Sequence, residues 1–232
     1  MFRKTGEKMD VSKTLLLVVL VAGLFISLVT IARAAGDAYA FGYANWTNDL
    51  KGHRVYVWTG IVPDGERWTA APVGMCQQCP CVEGVRKVET GWIKGTEWDL
   101  GDVLQQYVVY TDIDGKLKKE FHKGNLSDNT WYQFKVMYSQ SADRWEAWRF
   151  NDVVWFEPHD LGWAIGCRLV AGSENNDADH WMDAYGWHPE HRKWGGSWTL
   201  FNYDHSETAG GGHFEQCYDF GYRAWGRPPG QP

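Results

Sequence analysis

The sequence predicts an all-β fold, an antiparallel two-sheet β-sandwich of jelly-roll type preceded by an N-terminal hydrophobic leader helix. Three observations predict it. Turn signals recur along the chain, as "PDG" at 63, "DIDG" at 112, "KGNLSDN" at 123, "ENND" at 174, "KWGG" at 193 and "AGGGH" at 209. Between them lie short runs of alternating apolar and polar residues, the period of a half-buried strand. After the leader, no segment keeps an apolar 3.6-residue period for three turns, which excludes a helix bundle. Fifteen Trp and 26 Gly in 232 residues point the same way, because large aromatics and frequent glycine suit sheets and tight turns.

Taken in order, residues 1–34 read as a targeting element. Arg3, Lys4, Lys8 and Lys13 precede the apolar run "TLLLVVLVAGLFISLVTIA", and "ARA" at Ala32 to Ala34 fits a small-residue cleavage site. A cleaved signal peptide is the preferred reading. An uncleaved anchor is the alternative, because a mostly apolar run of nineteen residues is long enough to span a bilayer. Either way the remainder is expected to be secreted or otherwise extracytoplasmic. Residues 35–232 are expected to form one domain with a core from about 40 to 225. Within it, "RVYVWTGIV" (54–62), "VLQQYVVYTDI" (103–113), "TWYQFKVMYS" (130–139), "GCRLVAG" (166–172) and "SWTLFNY" (197–203) suit strands. "TDIDGKLKKEF" reads as a hairpin turning at Asp114-Gly115, and "RWEAWRFNDVVWF" as a second turning near Asn151-Asp152. "DADHWMDAYGWHPEHRKW" reads as a polar loop, and the tail "GRPPGQP" as frayed.

The net charge of −6, with no basic block after the leader, argues against nucleic-acid binding. Five cysteines follow the leader: Cys76, Cys79, Cys81, Cys167 and Cys217. In an exported domain they imply one or two disulfides and one thiol left over, with the pairing open. "CQQCPC" lacks a nearby His and a second CxxC to complete four zinc ligands, so no metal is expected there. Asn45 and Asn125 stand in glycosylation sequons. "EWDLGD", with Glu97, Asp99 and Asp102, approaches the acidic cluster of laminarinase-type glycosidases, but it also reads as a surface turn.

Two glutamates stand out. If residues 88–93 and 169–174 are extended, Glu89 shares a face with Gly91, and Glu174 with Gly172. A glycine two places from a carboxylate would open a slot for a substrate backbone. Two such carboxylates across a groove can divide the work of acid and base. Trp46, Trp58 and Trp92 are the candidate rings of that groove, and "GGGHF" could bring His213 beside it. The aromatic content by itself suits a peptide or a glycan equally.

These residues carry a resemblance. "VETGW" before a Lys-Gly turn, then "YVVYTDIDGKLK", "LVAGSEN" and "AGGGHF" resemble, in order, the motifs of the neprosin-type glutamic peptidase domain, from about residue 40 to 225. "YANWTND" and "VYVWTGI" are similar to the related eqolisin-type acid peptidases, which pair a Gln with a Glu on a concanavalin-like sandwich. Glu89, where the eqolisin type has Gln, sides with the neprosin type. Ser173 and Ala171 depart from that type, which usually has Gly and Trp there. The resemblance implies a catalytic pair of Glu89 and Glu174. It also implies metal-free and cofactor-free hydrolysis of a peptide or protein substrate at acidic pH, and cleavage after proline. Glu174 is expected to act as base and Glu89 to start protonated. The alternative is a non-catalytic carbohydrate- or surface-binding module using the same groove, with a glycan as partner. A membrane is expected only through an uncleaved leader.

Overall fold

The computed structural model describes residues 38–60, 67–79, 85–97, 100–122, 126–158, 160–175, 182–217 and 219–226, without the side chains of residues 46–48. The leader and the tail after residue 226 lie outside the described residues.

Every regular element among the described residues is a strand, and every pairing between them is antiparallel. In chain order these are β1 (Ala38–Trp58), β2 (Thr69–Cys76), β3 (Lys87–Lys94), β4 (Gln105–Thr111), β5 (Leu117–His122), β6 (Trp131–Ser139) and β7 (Arg144–Arg149). Then follow β8 (Asp152–Phe156), β9 (Gly166–Asn175), β10 (Met182–Lys193), β11 (Trp198–Leu200), β12 (His205–Ala209), β13 (Gly212–Cys217) and β14 (Gly221–Gly226).

Strand β1 builds both layers of the sandwich. Its first half pairs with β9 and β12, and its second half with β6 and β10. The pairing with β9 shifts register between Asn45 and Leu50, where the strand leaves one layer for the other. The first layer runs β12-β1-β9-β2-β3-β4-β5, and the second β8-β7-β6-β1-β10-β14-β13 with β11 beside β10. Because β1 serves both, the hydrogen bonds join all fourteen strands into one network.

Strand alternation sorts each layer into an inner and an outer face. The inner faces supply the main core, including Val73, Met75, Trp92, Val108 and Leu169 from the first layer and Val55, Val57, Phe134, Val136 and Trp145 from the second. A smaller apolar cluster, Trp68, Ala70, Ile93, Leu100, Tyr107 and Val109, lies apart from it. Cys79 is bonded to Cys167 with their Cα atoms 6.0 Å apart, tying the loop after β2 to β9. Cys76 is also disulfide-bonded, Cys217 is a free, exposed thiol, and Cys81 lies outside the described residues.

Both expected hairpins form. The β4–β5 turn closes with the Asp112 amide on the Lys116 carbonyl at 2.9 Å and Gly115 at positive φ. The β7–β8 turn comes one residue earlier than expected, with Phe150 at positive φ. Two expectations need correcting. "SWTLFNY" gives only the three-residue β11, and most of the supposed polar loop at 177–194 is β10, a central strand of the second layer. The polar residues and Pro189 disguise it, but Met182, Ala184 and Gly186 alternate inward, and Tyr222 packs where a Gly186 side chain would stand.

His53 lies wholly inside the sandwich. Its Nδ1 donates to the Gly74 carbonyl oxygen at 2.9 Å, and the Tyr203 hydroxyl donates to its Nε2 at 3.2 Å. Burial pushes the imidazole down to about 3, against the Gly74 hydrogen bond. Since an unfolded His titrates near 6.5, the unfolded chain binds more protons between these two values. Stability is therefore full above about pH 6.5 and falls as the pH drops towards 3, by on the order of 5 kcal/mol from this residue. Urea unfolding midpoints measured across that window should fall with acid in the parent and fall less steeply in His53→Gln. Equal slopes would contradict a buried neutral His53.

Candidate active site

The outer face of the first layer carries the site. Lys87, Glu89, Gly91 and Ile93 alternate with the core residues Val88, Thr90 and Trp92 along β3. Glu89 is opposite Gly74 and Ile93 opposite Ala70 on β2, while Ala70 is opposite Glu174 and Gly74 opposite Val170 on β9. These registers put Glu89 and Glu174 on one face, separated by β2 and offset along it. Both line a single cavity of about 230 Å³, whose walls include Lys87, Trp68, Ile93, Tyr107, Lys119 and Phe121. The small apolar cluster forms much of that wall, so the charged groups sit beside low-dielectric surface.

Glu89 is buried and Glu174 half-buried. Lys87 Nζ donates to Glu89 Oε2 at 2.9 Å. Burial works to lower the Lys87 pKa, but Glu89 and then Glu174 outweigh it and hold the ammonium above the usual lysine value. Burial, then Glu89 and Glu174, push the Tyr107 phenol well above its usual range. Its hydroxyl is buried without a hydrogen-bond partner among the described residues. Burial pulls Lys119 down, against Glu174. Lys87, Lys119 and the Tyr107 phenol thus feel both carboxylates at once.

Sequence reasoning brought Glu89 and Glu174 to one place but misread their surroundings. Gly91 and Gly172 do share their face, yet neither opens a slot. A Cβ on Gly91 would overlap the Ala71 carbonyl oxygen, and one on Gly172 the Ala40 carbonyl oxygen. The neighbouring strand's backbone fills each place, so these glycines allow close strand approach. Room for the carboxylate comes from Gly74, where a Cβ would lie 2.7 Å from the Glu89 Cβ. Trp92 does not line the groove. It is fully buried in the core, its Nε1 donating to the Trp58 carbonyl oxygen at 3.3 Å, because it has the opposite strand parity from Glu89. Trp58 is not in the cavity wall either. It alternates with buried Val55 and Val57 and packs edge-on against Tyr185 of β10, ring centroids 5.5 Å apart. His213 is exposed on β13 and stacked on Trp225 at 5.4 Å, among the strands of the second layer. The Trp46 side chain lies outside the described residues. Glu97 is paired with Arg67 in the turn after β3, and Asp99 lies outside the described residues.

Lys87, Tyr107 and Gly74 were missed. Lys87 could have been found from its place two residues before Glu89, which puts it on the same face. Gly74 is set opposite Glu89 and Tyr107 opposite Gly91 by pairings that only the register supplies.

The sequence matches no protein-family model and no curated protein. Among solved structures, the chain is similar to scytalido-glutamic peptidase bound to a peptide-based transition-state analogue, with a TM-score of 0.51, 7% identity, and coverage of 82% of this chain and 97% of that one. It also aligns with SCP-B, a member of the eqolisin family of peptidases in complex with the tripeptide Ala-Ile-His, with a TM-score of 0.48, 9% identity, and coverage of 82% and 97%. The first likeness shows that the chain has the β-sandwich fold of a glutamic peptidase.

The glycine geometry makes an ordered prediction. Gly91→Ala and Gly172→Ala meet backbone that cannot yield, whereas Gly74→Ala meets mainly the Glu89 side chain. Urea denaturation should show Gly74→Ala losing about 1–3 kcal/mol and the other two losing more. The reverse order would contradict the close-approach reading.

Proposed function

We propose that this cavity hydrolyses peptide bonds as a glutamic-peptidase-like site, with Glu174 as general base. One observation carries the reading: Glu89 and Glu174, from strands separated by β2, line one partly apolar cavity together with a lysine and a phenol that feel both. The fold shared with scytalido-glutamic peptidase supports it, and the neprosin-type motifs supply the residue assignment.

In this proposal Glu174 takes a proton from water as the oxygen attacks the substrate carbonyl carbon. It then delivers that proton to the amide nitrogen as the C–N bond breaks, leaving a carboxyl group and a free amine. Charge developing on the carbonyl oxygen needs a donor. The buried Tyr107 hydroxyl is one candidate. Lys87 is the other, since its ammonium has three donors and one is directed at Glu89. The ion pair alters the role expected of Glu89. A bare pair of carboxylates must share a proton to work, which confines it to acid. Here Lys87 supplies the balancing positive charge, so activity extends from acid towards neutral pH. The Glu89 carboxylate holds the ammonium in place. Flat rings of Trp68, Tyr107 and Phe121 suit a proline side chain, so proline-containing peptides are the first substrates to test. The reading places the domain in an extracytoplasmic compartment, behind the N-terminal leader.

Three variants test it on a mixed peptide library read by mass spectrometry. Glu174→Gln should leave almost no cleavage. Tyr107→Phe should lower the rate by about a hundredfold. Lys87→Met should confine the remaining activity to acidic pH, because the two carboxylates then have to share a proton. Equal rates for the parent and Glu174→Gln on every peptide would refute the enzymatic reading. Glycan binding that survives Gln at both positions would establish the binding module instead.

A further inference from the structure

A second cavity, of about 240 Å³, shares no lining residue with the first. It lies where the turn between β6 and β7 meets the end of β10, and its walls include Lys51, Arg192, Lys193, Ser139, Gln140 and Ser141.

Lys51 is the unusual member. It follows the inward parity of His53, Val55 and Val57, and it is only 2% exposed. Its Nζ has no hydrogen-bond partner among the described residues. Two rings bracket it instead, Trp194 with its centroid 3.5 Å away and Tyr138 at 4.2 Å. Cation–π contacts of this kind contribute about 0.5–2 kcal/mol each, while withdrawing an ammonium from water costs several kcal/mol. Burial accordingly pulls its pKa down to about 8, against the Asp143 carboxylate. That carboxylate already accepts a short hydrogen bond from the Tyr138 hydroxyl.

Two further cations, Arg192 and Lys193, stand among the remaining walls, which are otherwise uncharged. Arg192 donates through Nε to the Gly196 carbonyl oxygen at 3.0 Å, a bond that brings no negative charge. Lys193 is paired with Asp49 at 2.9 Å. Ser139 and Ser141 place hydroxyls within 3.4 Å of one another. Lys51 and Arg192, Lys193 already paired with Asp49, and two hydroxyls therefore line one small space from β1, from the end of β6 and the turn after it, and from β10.

We propose that this cavity binds a tetrahedral oxyanion, phosphate or sulfate, with Lys51 as its central charged contact. An anion there would supply the hydrogen-bond acceptors that the buried ammonium lacks, and negative charge beyond that of Asp143. Donors arriving from three elements suit an anion with acceptors pointing outward in all directions. A carboxylate offers two oxygens in one plane and would leave part of the ring unmet. A water occupies about 30 Å³, so the space also admits part of a group that carries the oxyanion. The anion could be free or the ester head of a sugar, and the chemistry of recognition is the same.

Isothermal titration calorimetry on the full-length chain at fixed ionic strength tests this. The probes are inorganic phosphate, inorganic sulfate, glucose 6-phosphate and glucose 6-sulfate, with acetate as the planar control. The expected result is saturable one-to-one binding of at least one tetrahedral probe, with acetate weaker by about tenfold or more. Tighter binding of an ester than of its free ion would identify the sugar ester as the source. The opposite order would identify the free ion. Lys51→Gln should weaken binding by about tenfold or more. Ser141→Asp, on the exposed turn and clear of the core, should do the same by charge repulsion, and it decides the matter if Lys51→Gln fails to fold. No saturable binding at millimolar concentration, or affinities unchanged in both variants, would overturn the proposal.

Discussion

Burial of Trp92 is the constraint on which the candidate site depends. Its ring lies wholly between the layers, and its indole nitrogen is met by the Trp58 carbonyl. Removing a ring of this size from a core costs about 3–5 kcal/mol, so β3 cannot slip by one residue without a comparable loss. With Trp92 inward, Val88 and Thr90 also point inward, and Lys87, Glu89 and Ile93 must point outward onto the face that carries the cavity. The same parity rule on β9 turns Leu169 and Ala171 into the core and leaves Glu174 outside it. The core residues therefore place the carboxylates.

Electrostatics shapes what the cavity can do. Two carboxylates beside an apolar wall repel one another unless something offsets their charge. Lys87 offsets it, and it is held charged by the groups it balances. A site of this kind is less tied to acid than a bare pair of glutamates. The stability of the domain favours the same range, because buried His53 opposes acid conditions. The His53 ring is bonded to the carbonyl of Gly74, the residue facing Glu89. Core protonation and carboxylate placement thus meet at one backbone unit.

Much of the fold was legible in the sequence, because strand alternation and turn residues act locally. The hairpins at 111–121 and 144–156 were readable for that reason. Strand β10 was not, since its inward positions are Met, Ala and Gly, and its outward ones carry the polar groups of an apparent loop. In the site, the pair Glu89 and Glu174 followed from the resemblance, and the same-side glycine of each from spacing. Their environment did not. A glycine in a strand can mean an open slot or a close-packed neighbour, and only the register tells which. Trp92 proved to be a core residue and Trp58 to pack on the second layer, since one residue of offset reverses the side. Lys87 was within reach of the parity argument and Tyr107 was not, for Tyr107 belongs to a strand that pairs with β3 across a turn.

The central claim is that Glu89, Glu174 and Lys87 form one electrostatic unit. NMR titration of the Lys87 side-chain ammonium in the parent, Glu89→Gln and Glu174→Gln tests it most directly. The account predicts a parent pKa above the ordinary lysine value and a fall in each variant, the larger for Glu89→Gln. A Lys87 pKa that ignores Glu174→Gln would contradict the account, because it would mean that the two glutamates do not share a site.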